Sequence, residues 1–447
     1  MKINFLDTQG IIVVMLYFIL AIIFGYFVRS LYVKEEKFKT LFIRGFLFKI
    51  IMGIGFAAIY NFYYHWIGDT IHYFNNACRM GDLLFTHPKI YFQMIIGQID
   101  NTDYFNLPQG LSYYPNRNMP IYTIHRLISI FTIMGTKNYY SVSICMNAFL
   151  YLVNWKFFKF LNNLFPEKTK IIAISVLFVP SVVFWSSGLV KDAFVLPFTF
   201  IFIICFYKLL YLKKFKIKYI LFFLLSIYIL KTLKIYIIYS LIVSVFIYAG
   251  FLYLKKIKNT FIRIFVFPVI MLVASIGGLY SLQKLSTTAE RGYTNVDSML
   301  QKASMSQYDL KQDYYQGNSF DIGTLEPTVE SAVSLTPAAI VAGLYRPFLW
   351  EARSTTMILS GLENFILFIL TLYVLFKVGV VTVVRETLKN PLLIFCVLFS
   401  VIMAFGIGLS TSNFGSLVRF KIPFLPFWCF YWLYFYYYHK ERIKRIK

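Results

Sequence analysis

Two short stretches carry side chains that could do chemistry. In GDTIHYF (68–74), Asp69 comes just after an apolar run, with Thr70 and Tyr73 close behind it. A carboxylate at the edge of an apolar segment is costly unless it is paired or used, which makes Asp69 a candidate proton acceptor. Asp before TIHYFNNA is equally a good helix N-cap, and these residues alone do not separate the two roles. In SVVFWSSGLVKDAF (181–194), Lys191 and Asp192 follow a Ser-Ser-Gly turn between two apolar runs. A helix starting near Ser187 puts both in its first turns. The dipole there favours an anion, either Asp192 or a bound phosphate, and favours Lys191 only opposite an anion.

Three further stretches supply similar groups. LKTLKIY (230–236) places Lys231 and Lys234 at a tight turn; LYRPFLWEARS (344–354) holds Arg346, Glu351 and Arg353; LSTSNFGSLVRFKIPFLPF (409–427) holds Asn413, Arg419 and Lys421. Any one of these cations can be read as a snorkelling interfacial side chain. Several together are unfavourable without a counter-charge, and a polyanion such as a lipid-linked phosphate would supply it. His65, Asp69 and His72 have the i, i+4, i+7 spacing of metal ligands, but Gly68 interrupts the helix they would need to share, so no metal site is expected there and His72 reads as a polar contact. The five cysteines, Cys78, Cys145, Cys205, Cys396 and Cys429, form neither a CxxC pair nor a disulfide framework.

The elements that must position these groups follow from composition. Of 447 residues 59% are hydrophobic, 20% aromatic and only 14% charged, too little polar surface for a soluble globule. Apolar runs of roughly 20 residues recur from end to end without the alternation of a membrane β-barrel, so the chain reads as an all-α polytopic membrane protein. The run at 11–28 lacks a preceding basic segment and a following cleavage site and reads as a retained helix.

The net charge of +24 is concentrated in short links: 29–44, 155–170, 213–218, 255–263 and the tail 439–447. That is the positive-inside pattern rather than a nucleic-acid footprint, and no nucleic-acid partner is expected. Spans are expected near 10–32, 41–63, 139–160, 170–186, 193–212, 218–231, 235–254, 262–283, 357–377, 391–409 and 420–438. These make about eleven transmembrane helices with the N-terminus outside, in one integral domain, 1–447. The segment 119–135 reads as an amphipathic interfacial helix, because a crossing there would invert every later link. Two long extracytoplasmic loops result, 64–138 and 284–356, with the polar chemistry outside and over the bundle. Lys191 and Asp192 are thereby expected at the outer interface.

The order of GDTIHYF, PSVVFWSSGLVKDA, a basic apex between two helices, RPFLWEA and NFGSLVRFKIPFLPF resembles bacterial polytopic proteins of the GT-C glycosyltransferase superfamily, including surface-polysaccharide members. The resemblance covers most of the chain after about residue 41. It departs in having an additional N-terminal span and no Asp-x-Asp pair in the first loop, where Asp100 and Asp103 are separated by two residues. A divalent cation is therefore left open.

The resemblance implies transfer of a sugar from a polyprenyl-phosphate or polyprenyl-diphosphate donor to a glycan, lipid or protein acceptor, outside the cytoplasmic membrane. It makes Asp69 the base and Lys191, Lys231, Lys234, Arg346 and Arg419 the phosphate contacts, with Asn413 beside them. Asp192 or Glu351 would orient the cations, and Tyr73, Tyr113, Tyr114 and Trp350 would stack on sugar. A repeat-unit polymerase or ligase would use the same lipid-phosphate logic. A lipid-linked oligosaccharide flippase would bury charge near mid-span, whereas 194–210 and 264–280 are almost charge-free. On this topology a cysteine at Ser319 labels from outside intact cells and one at Lys216 does not; the reverse pattern inverts it.

Overall fold

The computed structural model describes residues 7–98, 119–254, 295–312, 318–352 and 355–446. Among these residues the regular elements are helices, and the one strand-like contact is an isolated antiparallel bridge between Ser319 and Asn413. Among the described residues six helical stretches are long and apolar enough to cross a bilayer: Thr8–Tyr32, Glu36–Tyr63, Lys191–Tyr211, Ile217–Phe251, Met357–Val378 and Pro391–Ser410. The chain is thus an all-α, multi-pass membrane protein. It divides into two compact units, residues 1–167 with 176–234, and residues 168–175 with 235–447. All three boundaries fall inside helical segments, which is why no polar linker marks them in the sequence.

In the first unit, α1 (Thr8–Tyr32) is capped by Asp7, whose side chain accepts the Gly10 N–H at 2.7 Å. α1 leaves most of its apolar side chains exposed, as lipid-facing helices do. α2 (Glu36–Ala58) buries Phe42, Phe46 and Ile50 and packs on α6 (Tyr139–Leu164), where Phe42 meets Trp155 edge-on at 5.0 Å. Between them come α3 (Asp69–Thr86), α4 (Pro88–Ile96) and α5 (Met119–Met134). α5 spans about 24 Å at 1.5 Å per residue, short of a ~30 Å hydrocarbon core. Its polar face does not meet water: Thr123, His125, Arg126, Ser129 and Thr132 are buried, while Ile130 and Met134 are exposed. Arg126 donates to Ile95 O at 3.2 Å and to the Tyr228 hydroxyl at 2.9 Å, so its charge is spread over protein oxygens.

The expected span 170–186 is two helices, α7 (Thr169–Leu177) and α8 (Pro180–Trp185). Pro180 forces Val179 into an extended conformation (φ −67°, ψ 114°), which the preceding helix cannot continue through. α9 (Lys191–Phe206) follows, packed on α6 by the stacked rings of Phe157 and Phe200 at 4.0 Å. The turn expected at 230–236 narrows to one non-helical residue, Lys234 (φ −151°, ψ 85°), inside α10 (Ile217–Leu254). The expected span 262–283 lies outside the described residues.

The second unit contains α11 (Val296–Asp309), α12 (Val329–Ser334), α13 (Thr336–Tyr345), α14 (Thr355–Val378), α15 (Val380–Lys389), α16 (Pro391–Ser410), α17 (Phe414–Phe420) and α18 (Leu425–Ile446). Its tightest crossing is α13 on α16. A Cβ on Gly343 would overlap the Ala404 carbonyl, and one on Gly408 would overlap the Ala339 carbonyl. Ala339-x3-Gly343 thus faces Ala404-x3-Gly408, the small-residue spacing that lets helix backbones approach closely where lipid supplies no hydrophobic drive. Gly343→Val and Gly408→Val should each lower the melting temperature in detergent, by about 1–3 kcal/mol of overpacking. Gly406→Ala, where a Cβ meets nothing within 4 Å, should not.

Candidate functional site

The Ser-Ser-Gly segment is a break buried within the protein. Between α8 and α9 the chain runs through Ser186–Val190, where helical hydrogen bonding ends with the Ser186 and Ser187 N–H groups, and all five residues are buried. Such backbone is tolerated in an apolar protein only where other protein groups satisfy it. Lys49 of α2, itself buried, donates to Ser186 O at 2.5 Å and to Ser186 Oγ at 2.8 Å. Asn147 of α6 donates to Ser187 O at 2.8 Å, and the Thr70 hydroxyl of α3 to Leu189 O at 3.1 Å. Gly188 is required by close approach, since a Cβ there would overlap the Phe56 ring. Three helices thereby hold the stretch that ends in Lys191 and Asp192.

α9 begins at Lys191 rather than near Ser187, and Asp192 is fully buried in the protein. The break turns inward because its polar groups find partners on α2, α3 and α6, and it carries the following turn with it. Asp192 Oδ1 pairs with Lys234 Nζ at 2.5 Å, both side chains withdrawn from solvent. Lys234 can reach it because the helical path is interrupted at that residue. Lys231, three residues earlier, is half-buried and makes no hydrogen bond or ion pair with another described residue.

Lys191 is half-buried, its ammonium 5.8 Å from the centroid of the Tyr73 ring. Tyr73 belongs to a face of α3 that also carries Asp69, His72 and Asn76, at the i, i+3, i+4, i+7 positions of one helical stripe. The His72 and His125 rings are 5.7 Å apart and the Tyr73 and His125 rings 5.8 Å. Burial, followed by the neighbouring His72 and Lys191, pushes the His125 imidazole down to about 3, so it is neutral near pH 7. Asp69 is not the cap of α3. Gly68 takes that position at φ 129°, which suits glycine, and no side chain caps the helix. The Asp69 carboxylate is exposed at the first helical position, where the dipole favours its charge, and makes no hydrogen bond or ion pair with another described residue.

The second unit gathers a different set. Arg346 Nε lies 3.2 Å from Glu351 Oε1, its Nη1 donates to Asp321 O at 2.9 Å, and its guanidinium stands 5.2 Å from the Phe320 ring centroid. Phe320 stacks on Phe414 at 4.9 Å, next to the Ser319–Asn413 bridge, while Asn413 caps α17 through the Ser416 N–H at 3.2 Å. Lys421 is buried and donates to Arg346 O at 2.5 Å. Arg419 is half-buried in the last turn of α17. Trp350 is exposed and stacks on Phe348 at 4.8 Å.

Each unit thus brings together part of the expected set: Asp69, Tyr73, Lys191, Asp192 and Lys234 in the first, Arg346, Glu351 and Asn413 in the second. Arg346 has a matched local charge, Glu351 five residues on. Asp100, Asp103, Tyr113, Tyr114 and Arg353 lie outside the described residues.

Sequence reasoning passed over Lys49 and His125. Lys49 had a readable signal, a lone charge in the middle of an apolar helix. His125 had none, because the polar stripe of its helix looks solvent-facing. Among the described residues no three His, Cys, Asp or Glu side chains are placed to hold a metal ion. No family model, curated protein or solved structure matches this chain. Asp192→Asn should cost about 3–5 kcal/mol in thermal denaturation, because it strands a buried ammonium, and Asp192→Asn with Lys234→Met should recover most of that. Additive losses would show that the pair is not coupled.

Proposed function

We propose that the chain is a GT-C-type membrane glycosyltransferase of the cytoplasmic membrane. It moves a sugar from a polyprenyl-phosphate or polyprenyl-diphosphate donor to a glycan, lipid or protein acceptor on the extracytoplasmic side. In this reading about eleven spans carry the two outer loops, 64–138 and 284–356. One observation carries it: the exposed carboxylate of Asp69 heads the α3 face that also presents His72 and Tyr73, and Lys191 reaches that face.

The chemistry follows from those groups. Asp69 takes the proton of the acceptor hydroxyl as its oxygen attacks the anomeric carbon. The bond from that carbon to the phosphate oxygen breaks, and the departing phosphate takes the bonding pair. Lys191 balances the charge that develops on it. Tyr73, expected to stack on sugar, is buried beneath that face and backs the Lys191 ammonium instead, and the buried Asp192–Lys234 pair anchors the turn from which Lys191 projects. Arg346 and Arg419 are further candidates for phosphate contact, Arg346 oriented by Glu351. A repeat-unit polymerase or ligase would use the same groups on a longer glycan.

A second reading, a lipid-linked oligosaccharide flippase, is favoured by Lys49. A lysine buried in mid-span and bound to a helix break is the arrangement expected of a transport pathway. One substitution separates the readings. Asp69→Asn keeps the size of the side chain and removes its basicity, and should lower sugar transfer from a labelled polyprenyl-linked donor about 100-fold to 10,000-fold at normal expression. Transfer within a few-fold of wild type would sink the transferase reading. Donor translocation in vesicles that survives Asp69→Asn and fails in Lys49→Met would favour the flippase.

A further inference from the structure

We propose that α15 and the basic ends of α14 and α18 form a docking surface for anionic phospholipid headgroups. α15 is joined to the candidate spans α14 and α16 by single residues, Gly379 and Asn390. At ten residues it extends about 15 Å, half of what a crossing needs, so it stays at the membrane boundary where those two spans end.

Its two faces differ. Val383 and Thr387 turn inward, Thr387 sharing a hydrogen bond with the Tyr431 hydroxyl at 2.9 Å. Outward stand Val380 at 59%, Val381 at 80%, Val384 at 51% and Leu388 at 51% exposure, an apolar strip that stands exposed among the described residues. Cations flank it. Lys377 closes α14, and Arg385 and Lys389 lie on α15, both exposed and paired with Glu386 at 3.7 and 2.7 Å. The Tyr373 ring meets His439 at 6.1 Å, which brings the end of α18 to the same place, with Lys440, Arg442 and Lys444 exposed there.

Six cations face two carboxylates, Glu386 and Glu441, so the rim is strongly positive around an apolar strip. A short helix with apolar residues on one side and Lys/Arg beside them lies in the headgroup region, its apolar face toward the acyl chains and its cations on headgroup phosphates. The charge complementarity selects an anionic leaflet over a second copy of this chain, whose matching rim would repel it.

The test uses the full chain in nanodiscs of phosphatidylcholine, with and without phosphatidylglycerol. A solvatochromic label on V381C should emit as from an apolar site and be quenched by nitroxide-labelled lipid. Native mass spectrometry should show phosphatidylglycerol retained over phosphatidylcholine, the preference falling about fivefold for each charge removed in R385Q, K389Q and K440Q. Solvent-like emission at Val381 overturns the proposal, as does equal retention of the two lipids. Emission that shifts only with protein concentration assigns the strip to a second copy and overturns it as well.

Discussion

An apolar surrounding offers no water to an unpaired backbone group, so every interruption of a helix must be satisfied by protein. The break at Ser186–Val190 is where that constraint shapes the first unit most. Three carbonyls that α8 and α9 leave without helical partners are taken up by Lys49, Asn147 and Thr70, from three different helices. Because these donors are fixed, the break is fixed, and Lys191 and Asp192 follow it directly in the chain. The buried charge of Asp192 then needs a cation, and the single non-helical residue of α10 supplies Lys234. Each step is a polar debt settled inside the protein.

This arrangement separates two kinds of charge. Lys49, Asp192 and Lys234 are buried and committed to protein partners, so they hold shape. Asp69, His72 and Lys191 lie at the margin, exposed or half-buried, where a ligand can reach them. The functional reading rests on the second group and depends on the first for its geometry. The Asp69 carboxylate neither caps its helix nor pairs with a described residue.

The second unit solves the same problem by a different route. α13 and α16 approach through facing small residues, which leave no room for a Cβ at Gly343 or Gly408 and keep both helices intact. Its polar groups collect at the connections: Arg346 with Glu351, Lys421 on Arg346 O, and Asp321, whose carboxyl is held below the usual range by Lys311 and by the Gly323 N–H. The segment around Ser319 is tied to the start of α17 by the bridge to Asn413 and the stacking of Phe320 on Phe414.

Composition and hydropathy by themselves determined the class: long apolar stretches without strand alternation, in a chain this poor in charge, leave helices in a membrane as the only way to satisfy the backbone. Local signals also placed particular elements. Gly68 stands where α3 begins, whereas Pro180, which ends one helix and starts another, lies inside the single span expected over 170–186. What the sequence could not determine was which polar groups face inward. SSGLVKD looks like a surface turn because it is small and charged, and only the approach of Lys49, Asn147 and Thr70 makes its burial affordable. The polar stripe of α5 looks like a water-facing side, yet it packs on α3 and α4 and leaves Ile130 and Met134 exposed. In water, burial can be inferred from polarity alone; in an apolar surrounding polar groups seek one another, and their partners, distant in sequence, are chosen only when the helices pack.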